Sequence, residues 1–157
     1  MRKFVLSFFC LTFLSIFSPF LAISFDLQSD AKIDPGYQFV DTKIYLTSGD
    51  EPTENETDIA NKFLAPLLAK KGFNIAPSPE EADVVGWAGI KFQTQFADAP
   101  YATMNFYVFK SSPGSVHSKD TVIDAFAAKR MTRFDIGGAI RDLCYEIAKQ
   151  FPNVIRS

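Results

Sequence analysis

The sequence predicts an α+β protein: a two-layer α/β sandwich in which an antiparallel-rich mixed sheet carries two helices on one face. Three observations predict it. Residues 81–96 (EADVVGWAGIKFQTQF) form the longest strand-like run after the N-terminal segment and hold the chain's only tryptophan. A helix-patterned segment precedes them, and an unbroken i, i+3, i+4, i+7 apolar series closes the chain at residues 136–151. Strands flanked by two amphipathic helices bury one sheet face under the helices and leave the other at least partly wet.

The chain opens with Met1-Arg2-Lys3, runs almost without polar interruption from Phe4 to Phe17, and reaches Ser18-Pro19 and the small-residue site Ala22-Ile23-Ser24. That order of charge, apolar run and cleavage site is a secretory signal peptide. Pro19 divides the apolar run and leaves it short of the ~20 residues a spanning helix needs, so no transmembrane segment is expected after cleavage near Ser24. The expected organisation is a signal peptide over 1–24, an extended lead-in over 25–36, and a single α+β domain over 37–157. Cleavage removes two basic residues and no acidic one, leaving 14 Lys and Arg against 18 Asp and Glu. An acidic balance excludes a general nucleic-acid binder, whose affinity comes mainly from neutralising phosphates. Only Cys144 then remains, so no internal disulfide can form, and a bacterial periplasm or a secreted envelope setting is the expected location.

Residues 25–36 alternate weakly and end in the turn Asp34-Pro35-Gly36. Residues 37–46 alternate firmly, with Val40, Thr42, Ile44 and Leu46 on one parity, and read as a first strand. Thr53-Glu54-Asn55-Glu56 is a capping box that starts a helix. Ile59, Phe63, Leu64, Leu67 and Leu68 then recur at helical spacing, Lys70 and Lys71 suit the C-terminal dipole, and Gly72 suits a left-handed stop. Pro66 lacks a donor and crowds the carbonyl of Lys62, which predicts a kink or break. Residues 73–76 read as a short strand and 77–81 as a proline-punctuated turn.

Along the central run, Val84, Ala88, Ile90, Phe92 and Phe96 share the core face, while Trp87, Lys91, Gln93 and Gln95 share the other. Residues 97–100 break the run, and 101–110 resume it as the second arm of a β-hairpin. Core-to-core pairing leaves Tyr101, Thr103, Asn105 and Tyr107 beside Trp87, Lys91 and Gln93. Residues 111–118 (SSPGSVHS) are a loop. Residues 121–129 read as a strand, because the hairpin needs a further neighbour. Asp135 caps the last helix and Pro152 prevents its continuation.

The segment Leu67-Leu68-Ala69-Lys70-Lys71-Gly72-Phe73, a short spacer, and Glu81-Ala82-Asp83-Val84-Val85 resemble the recurring core of a family of small bacterial envelope proteins of unknown function, many of them lipoproteins. In that family the C-terminal helix ends near a Phe-Pro pair, as Phe151-Pro152 does here. The resemblance implies an α/β sandwich and an envelope location across residues 37–152. The chain departs from it at Cys10, which follows the bulky Ser7-Phe8-Phe9 where a lipid-modified cysteine follows small residues. The family brings no established catalytic residues to carry over.

No catalytic motif stands out. His117 is the only histidine and sits in a polar loop, where solvation explains it; Ser115, His117 and Asp120 lie too close along that loop to surround one substrate atom as a triad does. Cys144 falls on the apolar stripe and reads as core. Arg130 and Arg133 before Gly137 and Gly138 offer an anion or lipid-headgroup site at a helix N-terminus, against the simpler reading of close helix packing beside solvated charges. Asp83 and Asp124 are the carboxylates a small periplasmic hydrolase would use. The best-supported reading is a non-catalytic binding or accessory domain acting through the aromatic and polar sheet face of Trp87, Lys91, Gln93, Tyr101, Asn105 and Tyr107. Its expected partners are another envelope protein, a cell-wall polymer or a second copy, with no cofactor and no metal. The competing expectation is that the lead-in or the loop covers those rings as a third layer.

Overall fold

The computed structural model describes residues 27–48, 54–93, 100–111, 120–131 and 135–157. In chain order these form β1 (Leu27–Ile33), β2 (Lys43–Leu46), α1 (Glu54–Lys70), β3 (Asn74–Ile75), β4 (Val84–Gln93), β5 (Tyr101–Lys110), β6 (Thr121–Arg130) and α2 (Ile136–Gln150). The strands make one sheet in the order β1-β6-β5-β4-β2-β3. Three pairings are antiparallel, β1 with β6, β6 with β5 and β5 with β4; β2 runs parallel to both β4 and β3. This is the α+β architecture with a mixed, antiparallel-rich sheet that the sequence predicts.

Both helices pack on one face. Val84, Ala88 and Ile90 of β4, Ala102, Met104, Phe106 and Val108 of β5, and Ile123, Ala125 and Ala127 of β6 point into the same core as Leu64 and Leu68 of α1 and Ile140, Leu143 and Ile147 of α2. Each large side chain taken out of water there contributes roughly 1.5–3 kcal/mol. Alanines at positions 125 and 127 let α2 approach β6 closely. Gly86 does the same for a ring: a Cβ there would lie 2.7 Å from Phe106 Cζ. Cys144 is fully buried with its Sγ 3.6 Å from the Ala60 carbonyl oxygen, and burial pushes its thiol pKa up to about 12.

Several expectations change. The lead-in is an edge strand: its weak alternation reflects a strand exposed on both sides, pairing Leu27 to Ile33 with Lys129 to Ile123. It lies in the plane of the sheet and covers neither face as a third layer. The first strand does not begin at residue 37. Asp41 has φ +43°, a left-handed conformation that breaks the run, so Phe39 is buried before it and Thr42 and Ile44 after it. The C-terminal tail fills the gap, with the Ile155 amide donating to the Phe39 carbonyl at 2.8 Å and the Asp41 amide to the Ile155 carbonyl at 2.9 Å.

Helix α1 is unbroken at Pro66, because Pro66 and Lys62 both lie on the exposed side where water reaches the freed carbonyl. Its deepest residues are Thr57, Ala60, Leu64 and Leu68, while Ile59, Phe63 and Leu67 flank the core. Ile136, expected on the apolar stripe of α2, is 46% exposed, because it occupies the first position of the helix, beyond the sheet it packs on. The capping threonine Thr53 and the loop around His117 lie outside the described residues.

Candidate functional site

The face opposite the helices is built by the residues that alternate with the core. On β4 these are Val85, Trp87, Gly89, Lys91 and Gln93; on β5 Tyr101, Thr103, Asn105, Tyr107 and Phe109. The antiparallel register sets them in rows: Trp87 beside Tyr107 and Asp124, Gly89 beside Asn105 and Phe126, Lys91 beside Thr103 and Ala128, and Gln93 beside Tyr101 and Arg130. The six residues the sequence singles out, Trp87, Lys91, Gln93, Tyr101, Asn105 and Tyr107, therefore share one contiguous surface.

Three rings form a ladder across it. Trp87 and Tyr107 lie 5.8 Å apart between centroids with planes 18° from parallel, and Tyr107 and Phe109 lie 6.0 Å apart at 24°. Gly89 makes room for the first of them, since a Cβ there would fall 2.8 Å from Trp87 Cη2. The indole thus leans along its own strand instead of standing clear of the sheet. The rings are half-buried, and the face grades from dry to wet. Val85, opposite Phe109, is 1% exposed, whereas Lys91 and Gln93 at the other end are exposed.

Phe109 and Phe126 belong to this surface and escaped the sequence reading. Phe109 shares the parity of Tyr107 and needed only one more step along the strand. Phe126 was hidden by the alanines at 125, 127 and 128, which erase the contrast on which alternation is read.

The remaining candidates are dispersed. Asp83 Oδ2 accepts the Lys43 amide at 2.8 Å and so fastens β2 to the start of β4. Asp124 sits two strands away, opposite Tyr107. With β5 between them, the two carboxylates are not brought together for acid-base chemistry. At the start of α2, the Asp135 carboxylate accepts the Gly138 amide at 2.9 Å, so the donor an anion would use is already taken. A Cβ on Gly138 would lie 2.3 Å from that carboxylate, which is the physical reason for the glycine. Gly137 is exposed, Arg130 is engaged by other groups, and Arg133 lies outside the described residues.

A shallow open cleft between β1 and α2 is lined by Leu27, Arg141, Asp142, Tyr145 and Glu146. Of these, Asp142 pairs with Lys129, and Arg141 Nε reaches the same carboxylate at 3.2 Å. Hydrogen bonding from Lys129, opposed by partial burial and aided by Arg141, holds the Asp142 carboxyl below its usual range. Among the described residues no group of three or more His, Cys, Asp or Glu side chains is placed to hold a metal ion, and no helix is long and apolar enough to cross a membrane.

No family model matches the chain, and no curated protein matches it. Solved structures do. A PelC dodecamer from Paraburkholderia phytofirmans is similar with a TM-score of 0.54 and 14% identity, over 82% of this chain and 99% of that one. A PDZ domain protein from Parabacteroides distasonis is similar with a TM-score of 0.56 and 10% identity, over 81% of this chain and 35% of that one. A DUF4136 family protein from Bacteroides thetaiotaomicron follows with a TM-score of 0.47 and 12% identity, over 80% and 93% of the two chains. At these identities the likeness is one of fold. All three come from bacteria, while the Lys-Gly-Phe and Ala-Asp-Val-Val resemblance has no matching family model behind it.

Proposed function

We propose that this chain is an exported, non-catalytic accessory domain of a bacterial envelope that binds its partner through the helix-free sheet face. The observation that carries the reading is the Trp87-Tyr107-Phe109 ladder, set among Lys91, Asn105, Thr103 and Gln93 on a surface that neither helix covers. A half-buried aromatic cluster rimmed by hydrogen-bonding groups suits contact with a protein or a polymer better than contact with bulk water. Asp83 is committed to the Lys43 amide and Asp124 stands two strands away, a separation that favours binding over hydrolysis. The similar fold of PelC occurs in a dodecamer, which gives this arrangement of strands and helices a precedent for association.

The test compares Trp87→Ala and Tyr107→Ala with the parent for capture of envelope proteins and cell-wall fragments. Both variants lose capture while their melting curves stay cooperative, because the rings stand on the sheet face opposite the helices; the lost ring pair is worth about 0.5–1.5 kcal/mol. Variants that unfold outright, or that capture as well as the parent, would refute the reading. Export is checked separately by the intact mass of the mature product.

A further inference from the structure

Resting on that reading, we infer that the partner of the sheet face is a second copy of this chain, packed face to face about a two-fold axis to give a helix-sheet-sheet-helix dimer. The surface has the size such a dimer needs. The ten-residue β4, β5 and β6 and the seven-residue β1, at ~4.8 Å spacing and ~3.3 Å per residue, present roughly 600 Å² per copy. Two copies bury about 1,200 Å², which exceeds the ~1,000 Å² a specific interface needs. Two pleated faces meet at about 10 Å separation with their strands within about 30° of each other.

The distribution of side chains is self-complementary. The register places Gly89, Asn105 and Phe126 in one row, with Trp87, Tyr107 and Asp124 one step to one side and Lys91, Thr103 and Ala128 one step to the other. A two-fold axis along the middle row sets Asn105 against Asn105 and Phe126 against Phe126 of the second copy. The amides can then exchange hydrogen bonds and the rings can pack. The same operation sets each Trp87 against Lys91 of the second copy, so the pairing occurs twice, as an isologous interface requires. An ammonium over an indole is the favourable pairing for a cation that no ion pair holds among the described residues. Charges of both signs, Lys32 and Lys91 with Asp30 and Asp124, lie on this face, an arrangement that suits a copy of itself and not a polyanion.

Trp87 is the only tryptophan in the chain, so its emission reports this surface alone. Sedimentation of the purified protein across a range of concentration, followed together with Trp87 fluorescence, is expected to show a monomer-dimer equilibrium. The blue shift and the protection from acrylamide should rise with the dimer fraction. Lys91→Glu, an exposed position, is expected to raise the dissociation constant at least about ten-fold and to return the emission to that of the dilute parent. Asn105→Arg, which sets two like charges on the axis, is expected to give a monomer; should that variant fail to fold, Lys91→Glu decides. A dimer indifferent to both substitutions, or a protein monomeric at every concentration, overturns the inference. A monomer whose Trp87 emission still responds to a cell-wall fragment or another protein overturns the second copy as partner and leaves the binding face intact.

Discussion

Replacing Thr57 with valine tests how the sheet is closed where β2 stops. Strand β4 has ten residues and β2 only four, so β2 covers β4 no further than the bond from the Thr47 amide to the Gly86 carbonyl at 2.9 Å. The next carbonyl on that edge, Ala88, would be left buried without a donor. Helix α1 supplies one: the Thr57 hydroxyl, fully buried, donates to the Ala88 oxygen at 3.1 Å. Thr57→Val keeps the volume and removes the donor, stranding that acceptor away from water. A buried polar group left unpaired costs about 1–3 kcal/mol. For a chain of this size that lowers Tm by roughly 2–12 °C.

The assay is urea unfolding of parent, Thr57→Val and Thr57→Ser, with the midpoint shifting at constant slope. Serine retains the oxygen and gives up one methyl, worth about 0.8 kcal/mol, so it should cost less than valine. Valine within about 0.5 kcal/mol of the parent, or serine costing more than valine, would refute the argument and show that Thr57 serves by packing alone.

Two further outcomes follow from the described chemistry. Cys144, with its thiol pushed up to about 12 by burial, should resist iodoacetamide in the native protein at pH 8 and react once urea exposes it; stoichiometric labelling of folded protein would contradict its burial. Asp142, whose carboxyl is held below its usual value near 3.8, contributes stability that is present above that value and is lost as the pH falls through the lower folded value. Asp142→Asn should therefore flatten the acid limb of the stability profile below about pH 4 and leave the neutral region little changed, since the group is partly exposed.

How much of this was legible in the sequence depends on how local each cause was. Helix α2 was, because its stripe from Ala139 to Phe151 is long and its cap, Asp135, adjoins it. The hairpin of β4 and β5 was, because ten-residue alternation with Phe, Ile, Met and Val on one parity has no helical reading. The candidate face followed from it, as the complement of the core parity. What was not legible came from contacts between distant segments. Residues 37–42 alternate as a strand should, yet the left-handed Asp41 and the docking of Ile155 beside Val40 override the pattern. The edge strand β1 gave little contrast because water reaches it on both faces. Thr57 reads as an ordinary polar helix residue until the missing length of β2 gives it a carbonyl to satisfy.

The side chains of β6 carry the case for the exposed face one step further. Toward the helices this strand presents Ile123, Ala125 and Ala127; toward the opposite side it presents Asp124, Phe126 and Ala128. The bulkiest residue of the strand therefore points away from the core, between two alanines that point into it. Small residues are needed inward, because α2 lies close against β6. Nothing in the packing of the helices requires a phenylalanine outward, where threonine or a charged residue would serve a solvated sheet equally well. The same inversion recurs at Trp87 on β4, which stands between Gly86 and Ala88, and β5 adds Tyr107 and Phe109 to the same face. A surface that places five aromatic side chains on outward positions of three adjacent strands, and then stacks three of them within about 6 Å, has the composition expected of the proposed binding face more than of a solvated sheet.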